Sequence, residues 1–251
     1  MTEAPLLELR GISKSFGAAP VLRQLSLALR QGERRGLIGP NGAGKTTLIN
    51  VVTGKHPLDA GQIFYRGRDI TRLPAHRRNH LGIGRSFQIL SLFGESSVGE
   101  NIRNAVLRKR GLGVNPFRRL ATLDGVFAES ERIAALVGLR SVLGERADTL
   151  PYGMQRRLDI ALVLAQDPEL IILDEPAAGL SAAETRDLIE LLKSILGHRT
   201  LLIVEHDMDV VYALADRITV LDYEQVLTEG TPAEVNADPA VRRVYLGEAG
   251  D

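Results

Sequence analysis

The segment Gly39-Pro40-Asn41-Gly42-Ala43-Gly44-Lys45-Thr46 constrains this chain more than any other, because it fits the pattern G-x-x-x-x-G-K-[ST]. Such a loop wraps backbone N–H groups around the phosphates of a nucleotide, and its glycines remove the Cβ atoms that would block the approach. Lys45 is placed to bridge the β- and γ-phosphates, and Thr46 to offer a hydroxyl to Mg²⁺. The flanks agree. Arg35-Gly36-Leu37-Ile38 reads as the end of a strand, and Thr47-Leu48-Ile49-Asn50-Val51-Val52 as the helix that follows. That order sets a helix N-terminus under the phosphates, where its dipole favours negative charge. The candidate nucleotide contacts are therefore Gly39 to Thr47.

At 251 residues the chain has room for one large α/β domain, or for a core with an inserted subdomain. Its net charge is zero, so nothing global argues for nucleic acid or an anionic membrane surface. The absence of cysteine excludes a disulfide framework, thiolate metal sites and thiol catalysis. Met1-Thr2-Glu3-Ala4-Pro5 lacks the charged-then-apolar order of a signal peptide, and no apolar run approaches the roughly 18 residues needed to cross a bilayer. The expectation is a cytoplasmic protein that reaches a membrane only through a partner.

Leu6–Ile12 and Val21–Leu29 alternate well enough to be strands with one wet face, and Gly61–Tyr65 followed by Arg66-Gly67 reads as a hairpin arm. From about Gln88 to Gln166 the pattern turns helical: Val98-Gly99-Glu100-Asn101-Ile102 opens one helix, and Phe127, Glu131, Ala134 and Val137 mark a face of another. Gly111–Pro116 is a breaker loop flanked by Arg108, Lys109, Arg110, Arg118 and Arg119, a cluster suited to headgroups, an acidic partner or plain solvent. Leu170–Leu173 and Thr200–Val204 are continuous apolar runs, as expected for strands buried on both faces of a parallel sheet, and Arg217–Leu221 is a further strand. Between the first two, Ala182–Leu196 carries a helical stripe of Leu188, Leu191, Leu192 and Ile195, opened by a Ser181/Glu184 capping box. The fold class expected is α/β: a P-loop (RecA-like) core with a mainly parallel sheet, an N-terminal antiparallel β-subdomain and an inserted α-helical subdomain. The boundaries expected are 1–87 with 167–251 for the core and β-layer, and 88–166 for the insert.

Asp174 and Glu175 directly follow a buried strand, and strand carboxyl ends in a parallel sheet face the ligand crevice. Asp174 is placed to hold Mg²⁺, and Glu175 to act as general base on a water aimed at the γ-phosphorus. His206 follows the next buried strand, where an imidazole is either structural or within reach of the γ-phosphate. Gln88 ends the strand-like Ile83–Phe87 and opens the insert, where a neutral amide suits Mg²⁺ or its water without adding charge.

The order of phosphate loop, Gln88, Leu150-Pro151-Tyr152-Gly153-Met154-Gln155-Arg156-Arg157-Leu158, Leu170–Glu175 and His206 resembles an ABC-transporter ATPase subunit, and the resemblance covers essentially the whole chain. It implies that Phe16 stacks on adenine, that Gln88 is the glutamine loop, that Ala178-Gly179-Leu180-Ser181 is the D-loop and that His206 is the switch histidine. It also implies that Tyr152, Gly153 and Met154 present N–H groups to the γ-phosphate of ATP held by a partner subunit. Two departures stand out. The family generally reads Leu-Ser-Gly-Gly-Gln where this chain has Leu150-Pro151-Tyr152-Gly153-Met154, and Ser181 replaces the usual D-loop aspartate. Pro151 brings neither a hydroxyl nor a backbone N–H.

The Tyr-Gly signature, Gly82–Gln88, Asp174–Leu180 and the ending Val244-Tyr245-Leu246-Gly247-Glu248 resemble ATPase subunits of bacterial branched-chain amino-acid importers, with urea and amide importers close in pattern. The resemblance implies ATP and Mg²⁺ as ligands. The partners it implies are a second ATPase subunit, two transmembrane permease subunits and, indirectly, a periplasmic substrate-binding protein. It also implies a permease-docking surface near Gln88–Glu100, where Leu92 and Phe93 either pack inside the insert or meet the membrane subunit. A lipid or polysaccharide exporter, a non-transport ABC ATPase and a small-molecule kinase are the alternatives, in that order.

Overall fold

The computed structural model describes residues 4–86, 92–111 and 120–246. In chain order, β1 (Leu7–Phe16), β2 (Ala19–Leu29) and β3 (Arg34–Ile38) lead into α1 (Lys45–Val52). Then come β4 (Ala60–Tyr65), β5 (Arg68–Asp69), α2 (Ala75–His80) and β6 (Ile83–Arg85). A helical stretch follows, with α3 (Val98–Lys109), α4 (Leu120–Leu136) and α5 (Tyr152–Leu164). The chain ends as β7 (Leu170–Asp174), α6 (Ala182–Leu196), β8 (Thr200–Val204), α7 (Met208–Leu214), β9 (Arg217–Asp222), β10 (Gln225–Gly230), α8 (Pro232–Ala237) and α9 (Pro239–Leu246).

These strands make two sheets, a four-stranded one ordered β2-β1-β4-β5 and a six-stranded one ordered β10-β9-β3-β8-β7-β6. The first is antiparallel throughout. In the second, β9, β3, β8, β7 and β6 run parallel, and β10 returns antiparallel along β9. The fold is the expected α/β P-loop core with an antiparallel β-layer and an inserted helical subdomain.

Side-chain alternation along the buried strands decides which layer each residue holds. Leu170 and Ile172 of β7, with Leu202 and Val204 of β8, pack with α1 and the antiparallel sheet. Their neighbours Ile171, Leu173, Leu201 and Ile203 face the other way, into the core shared by α3, α4, α5 and α6. A period of two that is apolar at every position therefore serves two cores at once, which is why these runs read as continuous rather than alternating.

The helices follow their sequence signals closely at one end and less closely elsewhere. Ser181 caps α6 as expected: its Oγ accepts from the Glu184 amide at 3.3 Å, and Glu184 Oε2 accepts from the Ser181 amide at 2.9 Å. On α4 the buried stripe is Val126, Ser130, Ile133 and Ala134, continued by Val137 just past its end, so Phe127 and Glu131 lie off the core face. Phe127 lies under the Arg103 guanidinium at 5.1 Å, which shelters one ring face without burying it. Helix α5 begins at Tyr152, because Pro151 supplies the N-cap carbonyl that starts the ladder.

Candidate functional site

Parallel register brings the chemically important residues to one edge. β8 pairs with β3 at Leu37↔Val204 and with β7 at Asp174↔Val204, so Asp174, Glu205 and the residue after Ile38 emerge side by side. The phosphate loop occupies that edge. Gly44 has φ 94, and a Cβ there would lie 2.8 Å from the Val21 carbonyl oxygen, so the loop's close approach to β2 demands glycine. A Cβ on Gly39 would meet the Leu221 carbonyl oxygen at 2.4 Å. Gly42 and Asn41 are exposed, Pro40 and Thr47 are partly so, and Ala43 is buried.

Helix α1 starts at Lys45, so the amides of Lys45, Thr46 and Thr47 belong to the first turn, where no intrahelical acceptor exists. They point out of the helix end toward the loop's concavity. Lys45 Nζ donates to the carbonyls of Gly39 at 2.6 Å and Pro40 at 2.9 Å. Burial pushes its pKa down, and the carboxylates of Glu175 and Asp174 pull it back up. The ammonium thus bridges its own loop in a field set by the two acids expected to work with it.

Asp174 is fully buried. Its Oδ2 accepts from Arg85 Nη2 at 3.0 Å, while Oδ1 has no hydrogen-bond partner among the described residues. Burial raises its pKa, and the Arg85 guanidinium opposes that rise. Arg85 is anchored in turn by Asn50 Oδ1 at 2.6 Å and Thr53 Oγ1 at 3.2 Å, both at the far end of α1. A buried carboxylate oxygen without a partner is costly unless a ligand completes it. Thr46, in the first turn of α1, is exposed, and its hydroxyl is the other oxygen that a hard cation would use. Among the described residues no cluster of three or more His, Asp or Glu is gathered for a metal.

Glu175 and His206 meet directly, with His206 Nε2 2.9 Å from Glu175 Oε1. Glu175 has φ 48, in the left-handed region that few such side chains adopt. Its amide donates to the Val204 carbonyl at 2.9 Å, and its carbonyl accepts from Arg156 Nη2 at 3.0 Å. The strained turn aims its carboxylate out of the sheet edge and toward the imidazole. An acid and a base in hydrogen-bond reach, beside a cationic phosphate loop, can take and hold a proton from a water.

Other expected residues fall around this centre. Phe16 ends β1, half exposed, with the His56 ring edge-on at 5.4 Å and Lys14 Nζ 5.5 Å from its centroid. Its hairpin partner β2 carries Val21 against Gly44 of the phosphate loop. Gly153 and Tyr152 open α5, and the Met154 amide donates to the Pro151 carbonyl at 2.9 Å. Of the three amides expected to face a phosphate, Tyr152 and Gly153 therefore remain at the helix mouth, with Met154 engaged in the first turn. Gly153 also packs tightly, since a Cβ there would meet Glu184 Oε1 at 2.7 Å. Gln88 lies outside the described residues, as do Arg118 and Arg119. Leu92 joins the helical core, whereas Phe93 is 64% exposed and lines a cavity of about 490 Å³ with Arg78, Arg108, Asp159 and Leu162.

Three groups at the site escaped the sequence reading: the buried Arg156 and Glu205, and Arg85, whose side chain is 9% exposed. A charge in an apolar strand or on an otherwise buried helix needs a partner, and that rule alone says that Arg85 and Arg156 must each bond to something. It does not say to what.

The chain is similar to known proteins over nearly its whole length. A family model described as ABC transporter matches residues 22–178, and one described as branched-chain amino acid ATP-binding cassette transporter matches residues 225–251. The high-affinity branched-chain amino acid transport ATP-binding protein LivG of Salmonella typhimurium is 41% identical over 256 residues, covering 98% of this chain and 99% of that protein. Its counterpart BraF of Pseudomonas aeruginosa is 37% identical over 255 residues, with coverage of 98% and 99%. Among solved structures, the ADP conformation of MJ1267, an ATP-binding cassette of an ABC transporter, matches with a TM-score of 0.83 at 29% identity, covering 98% of this chain and 100% of that one. A nucleotide-free ATP-binding cassette from an ABC transporter gives a TM-score of 0.82 at 29% identity, covering 97% and 100%. With a phosphate loop, a strand-end acid pair and a family match spanning most of its length, this chain belongs to the ABC transporter ATP-binding family.

Proposed function

We propose that this protein is the ATP-hydrolysing subunit of a membrane importer for branched-chain amino acids. The observation that carries the chemistry is the meeting of Glu175 and His206 at 2.9 Å beside Lys45 and Asp174. The cargo class is supported by the LivG and BraF relatives, which are named for branched-chain amino acid transport.

ATP lies with its phosphates in the loop Gly39–Thr47 and its adenine on Phe16. Lys45 exchanges its carbonyl partners for phosphate oxygens. Thr46, Asp174 and Gln88 would hold Mg²⁺, which would supply positive charge against the ATP phosphates. Glu175 accepts a proton from the attacking water, and His206 orients that water or the γ-phosphate. A second ATPase subunit completes the site with its own Tyr152–Gly153 helix mouth, so that each ATP sits between two chains. The insert, residues 88–166, shifts against the core, 1–87 and 167–251, as the pair closes. The exposed Phe93 and its cavity suit docking of a permease segment at the cytoplasmic face of the membrane. Among the described residues no helix is long and apolar enough to cross a membrane.

The test is purification of the tagged chain from its native membranes, followed by ATPase assay of the recovered complex with its binding protein. Recovery with two multi-helix permease subunits, and turnover stimulated by leucine, isoleucine or valine, is the expected result. Stimulation by urea or short amides alone would replace the cargo class, and recovery with ribosomes or DNA would overturn import.

A further inference from the structure

The turn that carries Glu175 is tied down by a carboxylate the scheme above does not use. Nearly every backbone donor in that turn has an identifiable acceptor. The Glu175 amide goes to the Val204 carbonyl at 2.9 Å, and the Ala178 amide returns to the Glu175 carbonyl at 3.2 Å. Pro176 has no N–H to give. The Ala177 amide donates to Glu205 Oε1 at 2.7 Å, and the other oxygen of the same carboxylate accepts from the His206 amide at 3.2 Å. Glu205 is only 4% exposed. One buried side chain thus joins the loop after β7 to the loop after β8, the two segments that present Glu175 and His206. Glu175 sits at φ 48, a sparsely populated conformation that persists only where its surroundings over-determine it.

We propose that Glu205 is a positioning residue, whose carboxylate fixes Glu175 against His206 and so sets kcat without touching ATP. The proposal rests on the reading of Glu175 as general base. Its requirement is two acceptor oxygens for two converging N–H donors, and a glutamine supplies one acceptor and one donor in their place. The Glu205 carboxyl is pushed up to about 7, chiefly by burial, with the amides of Ala177 and His206 opposing the rise and the nearby acids Glu175 and Asp207 adding to it. Glu175 faces it from the β7 loop, Asp207 from the N-cap of α7 and His206 from the adjoining residue, while Arg156 of α5 reaches the Glu175 carbonyl behind it. As pH falls through 7 the carboxylate gains a proton, and one oxygen becomes a hydroxyl opposite an amide.

The test measures kcat, KM for ATP, ATP affinity and melting temperature for Glu205→Gln and Glu205→Asp in the purified transport complex, from pH 6 to 8.5. The expected result is a kcat at least tenfold lower in Glu205→Gln with KM and ATP affinity within about twofold of the parent. The fall of kcat between pH 8 and 6 should also flatten in that variant. Glu205→Asp, which keeps the charge but withdraws it by one methylene, should lose less, and it carries the same test if Glu205→Gln melts early. An unchanged kcat and acid limb, or equal losses in kcat and ATP affinity, would overturn the proposal. Glu175→Gln assayed alongside separates the two failures. Full hydrolysis by Glu175→Gln removes the general-base reading, whereas a dead Glu175→Gln beside a fully active Glu205→Gln removes only the positioning role.

Discussion

Replacing Glu175 by Gln exchanges one carboxylate oxygen for an amide and leaves the shape of the turn unchanged, so it isolates proton acceptance. Lys45 and the first-turn amides of α1 are untouched by this change. The expected outcome is a kcat reduced by about 10²–10⁴-fold, the usual range for removing a general base, with ATP affinity retained. Single-turnover hydrolysis and equilibrium nucleotide binding, measured separately, check both halves. Lys45→Ala acts at the other step. It deletes a buried ammonium that now bonds the Gly39 and Pro40 carbonyls and that phosphates would take over. Hydrogen bonds to charged groups contribute about 1.5–3 kcal/mol, so ATP should bind roughly 10–100-fold more weakly. Titration with a fluorescent ATP analogue reads this directly, and undiminished affinity would remove Lys45 from the phosphate site.

At the scale of single elements, helix ends offer the cleanest test. Ser181 and Glu184 form a reciprocal cap on α6, at the position where the resemblance implies an aspartate. Serine serves the cap as well as aspartate would, so the local structure tolerates the exchange. Ser181→Ala should cost about 1 kcal/mol, which in a chain of this size lowers the melting temperature by roughly 2–4 °C. Differential scanning fluorimetry measures it. The sequence announced this helix because its cap, its stripe and its length agreed. β7 and β8 were equally legible, since continuous apolar runs of strand length leave few alternatives, whereas β3, with Arg34, Arg35 and Gly36, was legible from its place before the phosphate loop. Short elements carried no such agreement. α2 and α7, with six and seven residues, span too few turns for a periodicity to register. On α4, the stripe through Phe127 misses the observed face because Phe127 finds shelter under Arg103 instead of inside the core.

For the whole molecule, motif order declared the site, and the parallel register assembled it. What stayed illegible was the buried polar support behind it, because hydrogen bonds such as Arg85 to Asp174, Arg156 to Glu175 and Glu205 to Ala177 join residues 19 to 89 positions apart. No local window contains both partners. This support leaves a signature in global stability. Glu205 is raised from the ordinary 4.5 to about 7 in the native state. Below 4.5 it is protonated whether the chain is folded or not, and its protonated form suits the buried site. As pH rises toward 7 the unfolded chain gives up this proton first, so the native state progressively loses that advantage, and above 7 the loss is complete. At roughly 1.4 kcal/mol per pH unit the loss is on the order of 3 kcal/mol. Glu205→Gln cannot titrate, so the parent should lose stability relative to this variant as pH climbs from 4.5 to 7. Urea unfolding midpoints of both proteins across that range measure the difference. Parallel curves would mean that Glu205 titrates in the native state as it does in the unfolded chain.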